Sequence, residues 1–157
     1  CIRDRGRTFI APGQEKRIDL VRIKLSAIGE SVKDKRIVLI DDSIVRGTTS
    51  GQIVNLLREA GAKEVHMRIS SPPFLYPCYY GTDIDSCENL IACHHSVEEI
   101  ADIIGADSLG YLPESELKNI VGSCEFCSAC FNGNYPTAVP DVTTKDRFEG
   151  KLSQRNK

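Results

Sequence analysis

Between Ile37 and Thr49 the chain passes in 13 residues from an apolar run, Ile37-Val38-Leu39-Ile40, through two adjacent carboxylates, Asp41 and Asp42, into the loop Ser43-Ile44-Val45-Arg46-Gly47-Thr48-Thr49. An apolar run bounded by turn formers reads as a strand over residues 35–40, buried on both faces of a parallel sheet. Its acids would then emerge at the carboxyl end, where open α/β sheets place their ligands. Residues 50–60 follow as a helix carrying Ile53, Val54, Leu56 and Leu57, with Gly61 as its stop. Residues 64–70 read as a second strand. A strand, a helix and a strand in fewer than 40 residues form a βαβ unit, so the strands must pair in parallel through a right-handed crossover.

The loop after the acids has the chemistry of an anion site. Gly47 lets the backbone approach an anion closely, and the hydroxyls of Thr48, Thr49 and Ser50 join the N–H groups of a helix start as donors. Two carboxylates beside such a cradle would repel a phosphate, unless they face ribose hydroxyls or share a divalent cation with a pyrophosphate. Magnesium-bound 5-phosphoribosyl 1-pyrophosphate offers both partners in one ligand. The segment resembles the signature of the type I phosphoribosyltransferases at the apolar run, both acids, Gly47 and Thr48. The bland alternative is that the acid pair forms only a solvated turn after a strand.

At 157 residues the chain can bury one sizeable core, as a single domain or part of a larger one. Its formal net charge of -2 gives no electrostatic reason to expect nucleic acid or a membrane surface as partner. No apolar run approaches the length of a spanning helix, and the opening Cys1-Ile2-Arg3-Asp4-Arg5-Gly6-Arg7 lacks the apolar core of a signal peptide. A cytoplasmic protein is expected. The chain opens without Met and in mid-pattern, which reads as a fragment.

Four regions are expected: residues 1–34, a mobile catalytic loop and a short helix near 20–28; 35–112, a partial α/β core; 113–142, a helix and a cysteine-rich segment; and 143–157, a disordered tail. Pro72 and Pro73 end the second strand abruptly, and the chain runs on irregularly through residues 76–81. Ser96 followed by Glu99 is a capping box, opening a helix to Ile104 whose face is Val97, Ile100, Ile103 and Ile104, closed by Gly105. Residues 108–112 read as a short strand and 113–121 as another helix.

Seven cysteines are an odd count, and in a reducing compartment they point to metal binding or burial rather than a disulfide framework. Cys124, Cys127 and Cys130 form two overlapping C-x-x-C pairs, with Cys78 on a separate loop able to add a ligand. Zinc and a four-iron cluster both accept four thiolates, and simple burial without metal is the third reading. Cys87 and Cys93 read as packing residues, and His94 and His95 as plain surface.

Several stretches together resemble the glutamine phosphoribosylpyrophosphate amidotransferase family: Gly6 to Ile10, Asp41 to Ser50, Glu59 to Ala62, Ser70 to Gly81, Ile104 to Asp107 and Cys127 to Thr137. The resemblance implies an α/β fold, a partial type I phosphoribosyltransferase sheet with flanking helices and a cysteine-rich extension. It implies an enzyme whose N-terminal glutaminase domain releases ammonia, and whose transferase domain uses it to displace pyrophosphate from phosphoribosyl pyrophosphate, giving 5-phosphoribosylamine for purine synthesis. In that scheme Asp41 and Asp42 bind magnesium and ribose hydroxyls, Ser43 lines the substrate site, and Arg46, Gly47, Thr48, Thr49 and Ser50 hold the 5-phosphate. Residues 7–24 become a loop closing over pyrophosphate, with Arg22 and Lys24 as its catalytic cations.

Cys78, Cys127 and Cys130 coincide with three ligands of a structural [4Fe-4S] cluster found in some members, the fourth ligand lying outside this chain and Cys124 being an extra thiol. Purine nucleotides as feedback inhibitors and a homo-oligomeric intact protein are implied as well. Cys1 is not the glutaminase nucleophile, because Gly6-Arg7-Thr8 follows it instead of a glutaminase opening. The isolated fragment is expected to be inactive. The competing reading is a regulatory module that senses phosphoribosyl pyrophosphate without transferring anything; the basic loop and the cysteines favour the enzyme. A small metal-binding domain with an incidental acid pair is the third.

Overall fold

A computed structural model describes residues 29–139 apart from 82, 83, 85, 123 and 124. The expected helix near 20–28, the loop with Arg22 and Lys24, Cys124 and the tail from 143 lie outside the described residues. The elements in order are α1 (Gly29–Val32), β1 (Arg36–Asp41), α2 (Thr48–Glu59), β2 (Glu64–Ile69), two 3-10 turns (Cys87–Asn89 and Ile91–Cys93), α3 (Val97–Ile104), β3 (Ser108–Tyr111), α4 (Glu114–Val121) and α5 (Ala129–Asn132). The strands form one parallel sheet in the order β1-β2-β3. The expected βαβ unit is therefore present, and β3 extends it through a second crossover that contains α3.

Register decides which residues share a face. Leu39 pairs with Met67, and Met67 with Leu109; Asp41 pairs with Ile69, and Ile69 with Tyr111. These residues point toward α2 and α3, which contribute Val54, Ile100 and Ile104 to a core completed by Ile44, Val65, Ile91 and Ala106. The capping box forms as expected: Ser96 Oγ accepts the Glu99 N–H, and Glu99 Oε2 accepts the Ser96 N–H at 2.7 Å. Gly105 ends α3 in a left-handed conformation.

Three expectations are corrected. Among the described residues the apolar run of β1 is covered on one face: Val38 is 63% exposed and Ile40 74% exposed. The opposite face of the neighbouring strands is polar, with His66 Nδ1 2.8 Å from Ser108 Oγ and Arg68 donating to the same hydroxyl at 3.1 Å. A continuous apolar run signals burial without saying which of its two alternating faces is covered. On α3, Ile100, Ala101 and Ile104 are buried, whereas Val97 and Ile103 are exposed, so the packed stripe is narrower than its apolar content. Cys87 and Cys93, read as packing residues, are paired as a disulfide. Their six-residue separation spans two tight turns that return the chain on itself, leaving the Cα atoms 6.0 Å apart, within bridging reach.

Candidate functional site

The acid pair stands where the strand ends. Asp41 is the last residue of β1, and the carbonyl of this residue accepts both the N–H and the hydroxyl of Ser70, each at 2.9 Å, which ties the tip of β1 to the end of β2. Asp41 Oδ1 accepts the Asp42 N–H at 3.0 Å, and Ser43 Oγ donates to Asp42 Oδ1 at 2.7 Å. Burial pushes the Asp41 carboxyl above the ordinary aspartate range; the Asp42 N–H bond pulls it down, and the Asp42 charge adds to the rise. Asp42 is exposed and Asp41 half-buried. The pair thus places two acceptors at a strand tip, with one held at an electrostatic cost that a cation would offset.

The loop turns back into the core at Ile44, which is almost fully buried, and then presents Arg46 outward. Gly47 caps α2 with φ of 78°, a left-handed conformation that side chains resist. An added Cβ at this position would meet Ile91 Cδ1 at 2.9 Å. Glycine is therefore required twice, by its dihedral and by the wall behind it. Gly47 has no side chain with which to cap α2, no cap from another side chain is seen among the described residues, and the first turn, Thr48, Thr49 and Ser50, carries no acid. That leaves donor N–H groups and the positive end of a 12-residue helix next to the two carboxylates. Of the hydroxyls, Thr49 is exposed, Thr48 half-buried and Ser50 buried.

An open cavity of about 370 Å³ adjoins this loop, with Arg46 and Thr48 on one side and Glu88, His94 and His95 on the other. Sequence reasoning set the two histidines aside; their place on the cavity rim comes from the turns between β2 and α3. It also missed Ser70 and Ile91, which hold the loop from behind. Tyr111 ends β3, and its hydroxyl is buried without a hydrogen-bond partner among the described residues, which pushes its phenol up to about 12.

The cysteine segment is assembled from distant parts of the chain. Phe74 and Phe131 stack with centroids 5.1 Å apart, the Cys130 carbonyl accepts the N–H groups of Leu75 and Tyr76 at 3.0 Å each, and Tyr135 donates its hydroxyl to the Pro77 carbonyl at 2.7 Å. These contacts bring Cys130 and Cys78 onto one packed wall beside Phe74 and Leu90. Burial pushes the Cys130 thiol up to about 11, with the neighbouring Cys78 and Cys127 adding to the rise. None of the three is in a disulfide. In donor type they suit a thiophilic metal or an iron–sulfur cluster. Among the described residues, however, no three His, Cys, Asp or Glu side chains converge into a metal-holding group.

No helix among the described residues is long and apolar enough to cross a membrane. No family model matches the chain. Curated relatives do. The chain is 53% identical over 145 residues to an amidophosphoribosyltransferase of Synechocystis, the match covering 91% of this chain and 29% of the relative. It is 54% identical over 140 residues to that of Bacillus subtilis, covering 85% and 29%, and 55% identical over 142 residues to a chloroplastic one of Arabidopsis thaliana, covering 89% and 25%. Among solved structures, the glutamine phosphoribosylpyrophosphate amidotransferase of B. subtilis, complexed with ADP and GMP, superposes with a TM-score of 0.72 at 52% identity, over 90% of this chain and 32% of that one. A structure of the allosteric regulatory enzyme of purine biosynthesis gives 0.73 at 51% identity, with the same coverage. The chain spans less than a third of the length of these relatives, and its fold is the phosphoribosyltransferase-type α/β fold they share.

Proposed function

We propose that this chain is the ribose-phosphate-binding part of an amidophosphoribosyltransferase, which in its intact form makes 5-phosphoribosylamine, pyrophosphate and glutamate from phosphoribosyl pyrophosphate and glutamine. The observation that carries this reading is the adjacency, within one β1–α2 turn, of a carboxylate pair and an uncapped helix start closed by a left-handed glycine. Identity above 50% to amidophosphoribosyltransferases across most of the chain supports it.

On this reading Arg46, Gly47, Thr48, Thr49 and Ser50 hold the 5-phosphate, through the N–H groups of the helix start and the hydroxyls beside them. Asp41 and Asp42 accept from the ribose hydroxyls, and Ser43 keeps Asp42 oriented through its hydrogen bond. Magnesium bound with the pyrophosphate would be held by Asp41 and Asp42 and would neutralise charge gathering on the leaving group. Arg22 and Lys24 add cationic stabilisation of that charge, and residues 7–24 exclude water from an oxocarbenium-like ribosyl centre that would otherwise hydrolyse.

The intact protein adds a glutaminase domain as ammonia source, forms a homo-oligomer in the cytoplasm and takes purine nucleotides as feedback inhibitors, in keeping with the ADP and GMP on the B. subtilis neighbour. Cys78, Cys127 and Cys130 would supply three ligands to a structural [4Fe-4S] cluster, with the fourth from elsewhere in the intact protein, the cluster itself drawing into convergence thiols that do not converge here. Iron and sulfide analysis after anaerobic purification checks that assignment.

The reaction is tested by supplying the intact protein with ammonia, magnesium and phosphoribosyl pyrophosphate and measuring pyrophosphate release. Lys24→Gln should lower kcat about 100-fold while leaving substrate affinity nearly unchanged, as expected of a group that acts on charge developed in the transition state. Binding without pyrophosphate release in the unaltered protein would instead identify a sensor.

A further inference from the structure

The turns between β2 and α3 do more than connect them. Cys87 and Cys93 bracket a segment whose centre is anchored inward: Leu90 is fully buried, Ile91 nearly so, and the Ile91 N–H donates to the Val45 carbonyl at 2.9 Å. The Ile91 side chain stands directly behind Gly47, where an added Cβ would approach Ile91 Cδ1 to 2.9 Å. One bridged segment thus supports the phosphate loop by a hydrogen bond on one side of Arg46 and by packing on the other.

Both redox states of the pair have a place in the fold. Bridged, the two sulfurs close the ends of the two 3-10 turns. In the bridged structure Cys93 Sγ already lies 3.2 Å from the Leu75 carbonyl, which can accept its thiol once the bridge is opened. Cys87 is exposed and Cys93 half-buried, so the first is open to attack or be attacked from solvent and the second is placed to resolve.

We propose that Cys87 and Cys93 form a reversible redox site that sets the rigidity of the Val45–Ser50 phosphate loop through Ile91. The oxidant is a small-molecule disulfide. The Cys87 thiolate attacks one of its sulfurs, forming a mixed disulfide and releasing one thiolate; the Cys93 thiolate then attacks Cys87 Sγ, forming the bridge and releasing the second. Two cysteine thiols are oxidised by two electrons, the disulfide is reduced to two thiols, and the two protons pass from the cysteines to the products. A dithiol reverses the sequence.

The consequence for ligand affinity rests on the proposed function; the consequence for loop rigidity does not. The experiment uses the intact protein equilibrated with oxidised glutathione or with dithiothreitol, alkylated, denatured and cleaved after glutamate, which cuts the segment at Glu88. Oxidised protein should yield two peptides linked through Cys87 and Cys93. Amide exchange across residues 44–54 should be slower in oxidised protein by about threefold or more, since bridging raises the cost of local opening. Cys87→Ser and Cys93→Ser should each exchange at the reduced rate under both conditions. Absence of the linked peptides, or equal exchange in both states, overturns the proposal. A titration with magnesium and phosphoribosyl pyrophosphate run in parallel separates the two readings: no binding in either state counts against the proposed function, while the linked peptides and the exchange data decide the switch.

Discussion

The loop that follows β1 and the cysteine segment are built in opposite ways. Asp41 to Ser50 is a contiguous stretch whose geometry comes from a strand end, one left-handed glycine and a helix start. Cys78 and Cys130 share one wall through contacts between distant segments: Phe74 stacks on Phe131, and two N–H groups of the 74–76 loop reach the Cys130 carbonyl. The first kind of site is fixed by local backbone and is sensitive to a single atom; the second is a packing arrangement in which stability and donor placement are one property. Substitutions in the loop should therefore cost binding more than folding, and those in the wall folding more than phosphate binding.

The largest effect belongs to Gly47→Val, which adds a β-branched side chain at positive φ against Ile91. A folding cost of about 1.5 kcal/mol is expected, with a larger loss of phosphoribosyl pyrophosphate affinity of about 100-fold, or about 2.7 kcal/mol, measured by chemical unfolding and calorimetric titration. Wild-type affinity in this variant would break the comparison from the loop side. Phe131→Ala removes a half-buried ring from the Phe74 stack and should cost about 2 kcal/mol, with affinity changed less than about threefold. A large loss of affinity without loss of stability would break it from the other side.

A smaller effect is expected at Asp107. Its Oδ2 accepts the Val65 N–H and the Arg58 guanidinium, each at 2.6 Å, joining the end of α2, the start of β2 and the start of β3 at the end of the sheet opposite the loop. The Val65 N–H above all, then Arg58, holds this carboxyl below the ordinary aspartate range. A lowered carboxyl contributes stability that is full above its unfolded value and is lost as pH falls through the folded one. Asp107→Ala should therefore melt lower than wild type at neutral pH, the gap closing below about pH 4. The smallest effect is Asp41→Asn, with the opposite sign. Burial raises the Asp41 carboxyl, so its ionised form costs stability as pH rises through the raised value. The amide, able to keep the Asp42 N–H bond, should melt slightly higher at pH 7 while binding magnesium and substrate worse.

What the sequence made legible follows the same division. The βαβ unit, the acid pair at the strand tip, the glycine at the helix start and the Ser96–Glu99 box all depend on neighbours in the chain, and they stand where periodicity and capping place them. The helix begins two residues earlier than its pattern suggests, at Thr48, because Gly47 itself serves as cap. What stayed hidden depends on contacts between distant residues. Apolar content could not say that Val38 and Ile40 face away from the helices, nor composition that Ile91 would stand behind Gly47. The Cys87–Cys93 pairing needed the return of two short turns, which spacing does not encode.

The most direct test of the central claim is calorimetric titration of the intact protein with phosphoribosyl pyrophosphate, with and without magnesium, alongside the double substitution Asp41→Asn, Asp42→Asn. Magnesium-dependent binding is expected in the wild type, with a loss of at least about 100-fold in the folded double variant, because two charge-assisted contacts are removed together. Equal affinity in the two proteins, or binding indifferent to magnesium, would contradict it.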